Sequence, residues 1–177
     1  YVSWGLTVKD RVSVHATGPY FVPHVETKAR GIFTNGPPAG AFRGFGIPQA
    51  AIAHDNLMDR MAEAIGMDPL EFRLRNAIRK GQETATGQLL EYSAGLDQCL
   101  EALRDPWQKA RAAAEKFNSE TDGVKRRGVG VGCMWYGCGN TSLSNPSTMQ
   151  IGIAADGAVT LYSGAQDIGQ GTNTTLV

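Results

Sequence analysis

The sequence has no excess of charge of either sign. Its 177 residues include 17 lysines and arginines and 17 aspartates and glutamates, which give a formal net charge of +0 at pH 7. A protein that binds nucleic acid or an anionic membrane usually carries a concentrated basic surface. The composition therefore gives no support for either kind of partner.

Cysteine and long apolar segments are also scarce. The three cysteines are Cys99, Cys133 and Cys138, and this odd number is not typical of a secreted disulfide framework. Without further cysteines or a histidine at ligand spacing, they do not predict a zinc or iron–sulfur site. No apolar run approaches the roughly 20 residues of a membrane-spanning helix, and the first residues do not resemble a signal peptide. We therefore expect a cytoplasmic protein, and the start without methionine suggests part of a longer one.

The order of sequence patterns predicts an α+β fold. Residues 1–34 are rich in Val, Thr, Tyr and Phe and predict two strands. Helical spacing of apolar residues runs over 47–65, with Gly66 as the C-cap, and Asp68-Pro69 predicts the start of a second helix that runs to residue 78. Further helices are predicted at 96–103 and 110–117, restarted by Pro106. Strands, then helices, then strands are typical of the α+β class.

The remaining residues complete the predicted organisation. Residues 118–127 are charged and predict a linker between a first part, 1–117, and a β-rich part, 128–177. Glycine alternates with larger residues over 128–136, which predicts a strand. Residues 149–153 and 159–162 flank Asp156-Gly157 and predict a β-hairpin, because this dipeptide accepts the positive φ angles of a tight turn.

Residues 40–46 form the first segment whose composition points to chemistry. Three glycines allow a close backbone approach to a ligand and leave N–H groups open to an anion. Phe42 and Phe45 would offer a flat apolar face and Arg43 a permanently charged set of donors, which would suit a planar substrate beside an oxyanionic centre. The alternative is a surface loop whose phenylalanines pack into the core. A dinucleotide-binding motif is not predicted, because Gln49 stands where its third glycine belongs.

Residues 163–174 form the second such segment. They follow a predicted strand and lead into a predicted helix, an arrangement that directs backbone N–H groups at a phosphate or pterin oxygen. A nucleoside triphosphate is not favoured, because no Gly-Lys-Ser/Thr sequence is present. The alternative is a structural turn with Asp167 exposed and Gln170 as a cap.

Both segments resemble cofactor loops of the large subunit of molybdenum hydroxylases, the family that includes xanthine dehydrogenase and aldehyde oxidoreductase. The resemblance lies in residues 41–46 with Pro48-Gln49, in residues 167–171, and in the intervening residues 67–76. It runs from about residue 8 to the end and is thinnest over 118–147. The cofactor-binding residues that it implies are Phe42, Arg43, Gly44, Gly169, Gln170 and Gly171.

The resemblance also implies individual roles. Arg43 would contact the molybdenum centre, Phe45 would pack on the substrate ring, and Gln170 would hydrogen-bond the pterin. Arg11 stands where purine-oxidising members carry a substrate-orienting arginine, with an ordinary surface arginine on a strand as the alternative. No catalytic residue is expected within this chain, since the family's general-base glutamate would follow Val177.

The chemistry implied by the resemblance is hydroxylation of an aldehyde or N-heteroaromatic substrate with water as the oxygen source. The cofactor would be molybdopterin with molybdenum, in the cytosine dinucleotide form for a bacterial protein. Iron–sulfur clusters and FAD on partner domains or subunits would receive the electrons, and the remainder of the large subunit would complete the site. We expect the chain alone to be inactive and metal-free. The alternatives are a non-catalytic binding or scaffold module and a nucleotide-binding enzyme.

Overall fold

The computed structural model describes residues 4–37, 40–137 and 146–176. The chain divides into two compact units, Tyr1–Tyr136 and Gly137–Val177. The first unit contains the helices α1 (Gly5–Val14), α2 (Ile47–Ala64), α3 (Pro69–Asn76), α4 (Leu96–Ala102) and α5 (Arg104–Glu120). The second contains the strands β1 (Gln150–Ile153) and β2 (Val159–Tyr162) and the short helix α6 (Thr172–Thr175). The predicted α+β class is confirmed.

The prediction of two strands in residues 1–34 is wrong. Residues 5–14 form α1 instead of a strand, and residues 21–34 contain no strand. Just before them, Tyr20 forms an isolated antiparallel bridge with Ala77. Valine-rich sequences favour strands, but the packing of a helix against its neighbours overrides such weak preferences. Here α1 packs against α2, with Val8 and Val12 close to Gly46.

Helix α2 follows the predicted pattern. It begins beside Pro48 in its first turn and ends before Gly66, which adopts a φ of 65°. Its buried side chains recur every three or four residues, as expected for a helix with one face on the core; they are Ile47, Ala50, His54, Met58 and Ala62.

Helix α3 begins at the predicted N-cap. The Asp68 carboxylate accepts hydrogen bonds from the amides of Leu70 (2.8 Å) and Glu71 (3.2 Å). Trp107 of α5 donates its indole N–H to the same carboxylate at 2.9 Å. Partial burial alone would raise the pKa of Asp68, but the hydrogen bonds, led by that from Trp107, outweigh it and hold the pKa below its usual value. The cap of α3 therefore also anchors α5.

The core of the first unit lies among α2, α3, α4 and α5. Its buried members are Tyr20, Met58, Leu70, Leu74, Ala77, Leu100, Trp107 and Cys133. Two helices meet near Pro106 as predicted, but α5 begins before the predicted residue 110, with Pro106 in its first turn, where proline is tolerated.

A buried ion network joins the helices at this core. The fully buried Arg73 donates to Asp55 (3.3 Å) and to Asp59 (2.6 Å). Asp55 also accepts the Tyr20 hydroxyl at 2.7 Å and the Cys133 amide at 2.6 Å. One carboxylate therefore connects α2 with α3 and with two segments outside the helices, and a buried guanidinium with such partners is satisfied.

The prediction of a strand over residues 128–136 is wrong. This segment has no strand pairing in the structure, and the Cys133 amide donates to the Asp55 carboxylate. The predicted linker 118–127 belongs to the first unit, where Asn118 makes two hydrogen bonds of 2.8 Å to the backbone of Arg127. The division of the chain at this linker stays a prediction.

The β-hairpin of the second unit is confirmed. Strands β1 and β2 pair antiparallel in the register Gln150↔Tyr162 to Ile153↔Val159. Gly157 adopts a φ of 85°, and its amide donates to the Ala154 carbonyl at 3.0 Å to close the turn. Among the residues that the structure describes, no helix combines the length and the apolar character needed to cross a bilayer.

Candidate functional site

The first loop, residues 40–46, ends in an unusual run of backbone conformations. Gly44, Phe45 and Gly46 have φ angles of 94°, 48° and 101°. Such angles cost little for glycine but are strained for a bulky residue such as Phe45. Two turn hydrogen bonds hold this conformation, from Phe45 N–H to Phe42 C=O (2.8 Å) and from Ile47 N–H to Gly44 C=O (2.9 Å). The loop is therefore folded tightly onto the start of α2.

Close packing explains the two glycines on either side of Phe45. A Cβ atom on the buried Gly46 would lie 2.5 Å from the Val8 carbonyl oxygen of α1. A Cβ atom on Gly44 would lie 2.5 Å from the Pro48 ring. Both distances are well below van der Waals contact, so these glycines are required by the chain's own packing. The approach of a ligand, which the sequence predicts as their role, is not needed to explain them.

The tip of the loop is open to solvent. Phe42 is 85% exposed, Arg43 is exposed, and Phe45 is partly buried. The alternative in which both phenylalanines pack into the core therefore does not describe Phe42. An exposed aromatic ring next to a guanidinium can bind a planar group and an oxygen-rich anion together.

Arg11 lies on α1, the helix that packs against this loop. Its guanidinium lies over the Tyr136 ring, 5.9 Å from the centroid. One turn later on the helix, His15 donates from Nδ1 to the Arg11 carbonyl at 2.9 Å, and burial lowers the pKa of His15. A strand, as predicted for this segment, would not bring Arg11 and His15 together, whereas their spacing of four residues does so on a helix.

The second loop, residues 163–171, is held mainly by its own side chains. Asp167 accepts the Gly169 amide at 2.8 Å and, across the turn, the Asn173 amide at 3.1 Å. Asn173 lies in the first turn of α6, so an amide of that turn bonds to Asp167 and not to Gln170, the cap in the structural alternative. The predicted turn into a helix is confirmed, although α6 has only four residues.

Gln170 is the bridging residue of this loop. Its amide nitrogen donates to the Gln166 carbonyl (2.7 Å) and the Thr172 hydroxyl (2.6 Å), and its oxygen accepts the Ile168 amide (2.7 Å). Gly169 and Gly171 beside it have φ angles of 98° and 86°. The side chain of Gln170 is exposed, so a ligand would compete with these internal hydrogen bonds in an open loop.

The predicted site residues are divided between the two units. Arg11 and residues 42–45 belong to the first unit, and residues 169–171 belong to the second. Within the described ranges, no cluster of three His, Cys, Asp or Glu side chains has the geometry to hold a metal ion. Cys99 is exposed and Cys133 is buried, while Cys138 lies outside the described residues.

The donor chemistry of both loops fits a polyanionic, oxygen-rich cofactor. The first loop presents an exposed guanidinium, and the second presents exposed glycines and a side-chain amide. Two family models, each described as a molybdopterin cofactor-binding domain, match residues 1–77 and 101–177. The chain belongs to the molybdopterin cofactor-binding family of molybdenum hydroxylases. Each match contains one of the two loops.

Curated relatives agree with this assignment. The chain is 49% identical over 105 residues to the nicotinate dehydrogenase large molybdopterin subunit of Eubacterium barkeri, a match that covers 59% of this chain and 25% of that protein. It is 43% identical over 150 residues to the putative xanthine dehydrogenase molybdenum-binding subunit XdhA of Escherichia coli, covering 80% of this chain and 19% of the relative. The chain thus spans a quarter or less of the length of these relatives.

A solved structure gives the same family and fold. The aldehyde oxidoreductase of Desulfovibrio desulfuricans superposes with a TM-score of 0.73 at 28% sequence identity. The match covers 89% of this chain and 17% of that enzyme.

Proposed function

We propose that this chain supplies part of the cofactor and substrate site of a molybdenum-containing oxidoreductase that hydroxylates an aldehyde or an N-heteroaromatic ring. The observation that carries the proposal is the folded loop that leaves Phe42 and Arg43 exposed beside three consecutive positive φ angles. Membership in the molybdopterin cofactor-binding family supports it. When bound, the molybdenum cofactor supplies the oxidising centre, with water as the source of the oxygen atom.

The residues of the first unit would bind and orient the reactants. Arg43 would direct its fixed donors at oxygen ligands of the metal centre, and the Phe42–Arg43 backbone would lie against them. The ring of Phe45 would pack on the planar substrate, and Arg11 would hydrogen-bond a substrate oxygen. These contacts would hold the substrate in one orientation and exclude water from its apolar face.

The residues of the second unit would bind the pterin. Gln170 would exchange its internal hydrogen bonds to Gln166 and Thr172 for bonds to the pterin ring. Gly169 and Gly171 would allow the backbone to approach it, since a Cβ atom on Gly171 meets nothing within 4 Å. Our proposal includes the cytosine dinucleotide form of the cofactor, a cytoplasmic location, and partner domains or subunits with iron–sulfur clusters and FAD.

The test uses the full-length subunit with its partners. Molybdenum and pterin are quantified per subunit, and the oxidation of benzaldehyde and nicotinate is followed with a dye as electron acceptor. We expect Arg43→Ala to lower turnover on the order of a hundredfold, as for the loss of one oriented donor at a reaction centre. Arg60→Ala, an exposed arginine of α2, is the matched control and should not change turnover.

Two results would contradict the proposal. Full-length protein without molybdenum and pterin would favour the scaffold alternative, in which the glycine loops serve only structure. Equal turnover of the Arg43→Ala and Arg60→Ala variants would remove Arg43 from the site.

A further inference from the structure

Arg11 belongs to an aromatic cluster that the proposed function does not explain. Its guanidinium lies 5.9 Å from the Tyr136 ring centroid. On the same ring stacks His15, with centroids 6.4 Å apart and planes inclined by 19°. Trp135 meets His15 edge-on at 5.5 Å. Near the C-terminal end of α1, Arg11 therefore contacts Tyr136, and His15 links that ring to Trp135.

The bonding of Arg11 differs from that of the structural arginines. No carboxylate in residues 4–37, 40–137 or 146–176 forms a salt bridge with Arg11, although its side chain is partly buried. Arg73, by contrast, is paired with both Asp55 and Asp59. An aromatic face attracts a cation through its quadrupole and leaves the in-plane N–H donors available. The Tyr136 ring therefore holds the Arg11 guanidinium without accepting hydrogen bonds from its N–H groups.

Helix α1 connects this arginine to the first loop. Val8 and Val12, which lie three residues before and one residue after Arg11, are the side chains nearest to a Cβ atom built on Gly46. The helix that supports the loop thus also carries Arg11. The aromatic contact of its guanidinium is with the Tyr136 ring, 5.9 Å from the centroid.

We propose that Tyr136 is a positioning residue that holds Arg11 ready to bind a carboxylate or carbonyl oxygen of a planar substrate. This inference rests on the proposed function, since it assumes that the substrate binds beside the first loop. His15 adds to the arrangement, because its Nδ1 donates to the Arg11 carbonyl and its ring stacks on Tyr136. Burial lowers the pKa of His15, so the ring is neutral near pH 7 and does not repel the guanidinium.

Tyr136 suits substitution because it is 46% exposed, and shortening it does not open the core. In the full-length, cofactor-loaded subunit, Tyr136→Leu removes the ring and Tyr136→Phe keeps it. Tyr92→Leu, at a tyrosine that is 88% exposed, controls for the loss of a surface tyrosine. All variants are compared with the wild type in two measurements that need no turnover.

The first measurement is the binding of unreactive probes by calorimetry. Benzoate carries a carboxylate on a planar ring, and benzamide is its neutral counterpart. We expect Tyr136→Leu to raise the Kd of benzoate about tenfold, as for the loss of one oriented charge-assisted bond, with little change for benzamide. Tyr136→Phe and Tyr92→Leu should bind both probes as the wild type does. Unchanged benzoate binding in Tyr136→Leu, or no benzoate binding by the wild type, would overturn the inference.

The second measurement is the rate at which phenylglyoxal modifies Arg11, followed by mass spectrometry. Loss of the ring should expose the guanidinium and speed modification severalfold in Tyr136→Leu alone; an unchanged rate would overturn the inference. Failure of the proposed function is separately visible as the absence of molybdenum and pterin. A loaded subunit in which Tyr136→Leu matches the wild type would refute only the role of Tyr136.

Discussion

The two glycine-rich loops look alike in sequence but are stabilised in different ways. In the first loop, Gly46 is buried against the backbone of α1, and a Cβ atom there would come within 2.5 Å of the Val8 carbonyl oxygen. In the second loop, a Cβ atom on Gly164 or Gly171 meets nothing within 4 Å. The first loop is fixed by packing, whereas the second is fixed by hydrogen bonds of its own side chains.

The two loops therefore show two different reasons why a position is occupied by glycine. A glycine such as Gly46 satisfies a steric requirement of the protein itself, so its presence says nothing about a ligand. A glycine such as Gly171 satisfies only a backbone requirement, a φ of 86°, and leaves room beside the chain. Of the two loops, the second therefore has the backbone that a bound group can approach more closely. The first contributes through its exposed side chains, Phe42 and Arg43.

The largest expected effect is that of Gly46→Ala. The new methyl group would overlap the Val8 carbonyl, and the φ of 101° is unfavourable for alanine. Together these effects should lower the free energy of unfolding by about 4 kcal/mol, as measured by urea denaturation. Gly66→Ala is the matched control, with a positive φ but no atom within 4 Å of the added Cβ. Similar losses for both variants would show that packing does not distinguish Gly46.

The next effect is that of Asp55→Asn, which tests whether the first loop depends on the core. The change leaves the buried Arg73 with a weaker partner and should cost about 3 kcal/mol. Hydrogen exchange should accelerate at Ile47 and Ala50, whose amides bond to Gly44 and Gly46. Exchange at Gly169 should stay unchanged, because Asp167 within the same loop holds that amide.

Asp59→Asn is the control for this substitution. Its carboxylate contacts the same arginine but is 49% exposed, so a smaller loss is expected. Equal acceleration of exchange in both loops would contradict the proposed difference in how they are stabilised.

The elements that the sequence predicts correctly are those with a capping or turn residue at their ends. The limits of α2 and α3 are encoded by Gly66 and Asp68 beside them, and the hairpin by Asp156-Gly157. Helix α1 could not be predicted, because its valines favour a strand and only packing against α2 and Gly46 selects the helix. The site shows the same limit. The motifs identify the loops and their candidate residues, but the contact of Arg11 with Tyr136 joins residues far apart in the sequence.

A smaller effect is expected for Asp167→Ala in the second loop. The substitution removes the acceptor of the Gly169 and Asn173 amides, and the loss of a helix cap typically costs about 1 kcal/mol. Hydrogen exchange should accelerate at these two amides and remain unchanged at Ile47. Asp156→Ala, which removes a similar contact to Ala158 in the hairpin turn, should leave Gly169 and Asn173 unaffected. Slow exchange at both amides in Asp167→Ala would mean that packing, and not this carboxylate, orders the loop.

The smallest effect is expected for Gly171→Ala, because the new methyl group enters open space. The positive φ costs alanine about 1 to 2 kcal/mol, while the reduced freedom of the unfolded chain returns about 0.4 to 1 kcal/mol. A net loss of about 0.5 kcal/mol should follow from these terms, close to that of Gly66→Ala, when both are measured by urea denaturation. In the full-length subunit the same variant should lose pterin more readily, since the methyl group would fill space that the cofactor is proposed to approach. A large loss of stability in Gly171→Ala would assign this glycine the steric role of Gly46, and the two loops would then no longer differ in the reason for their glycines.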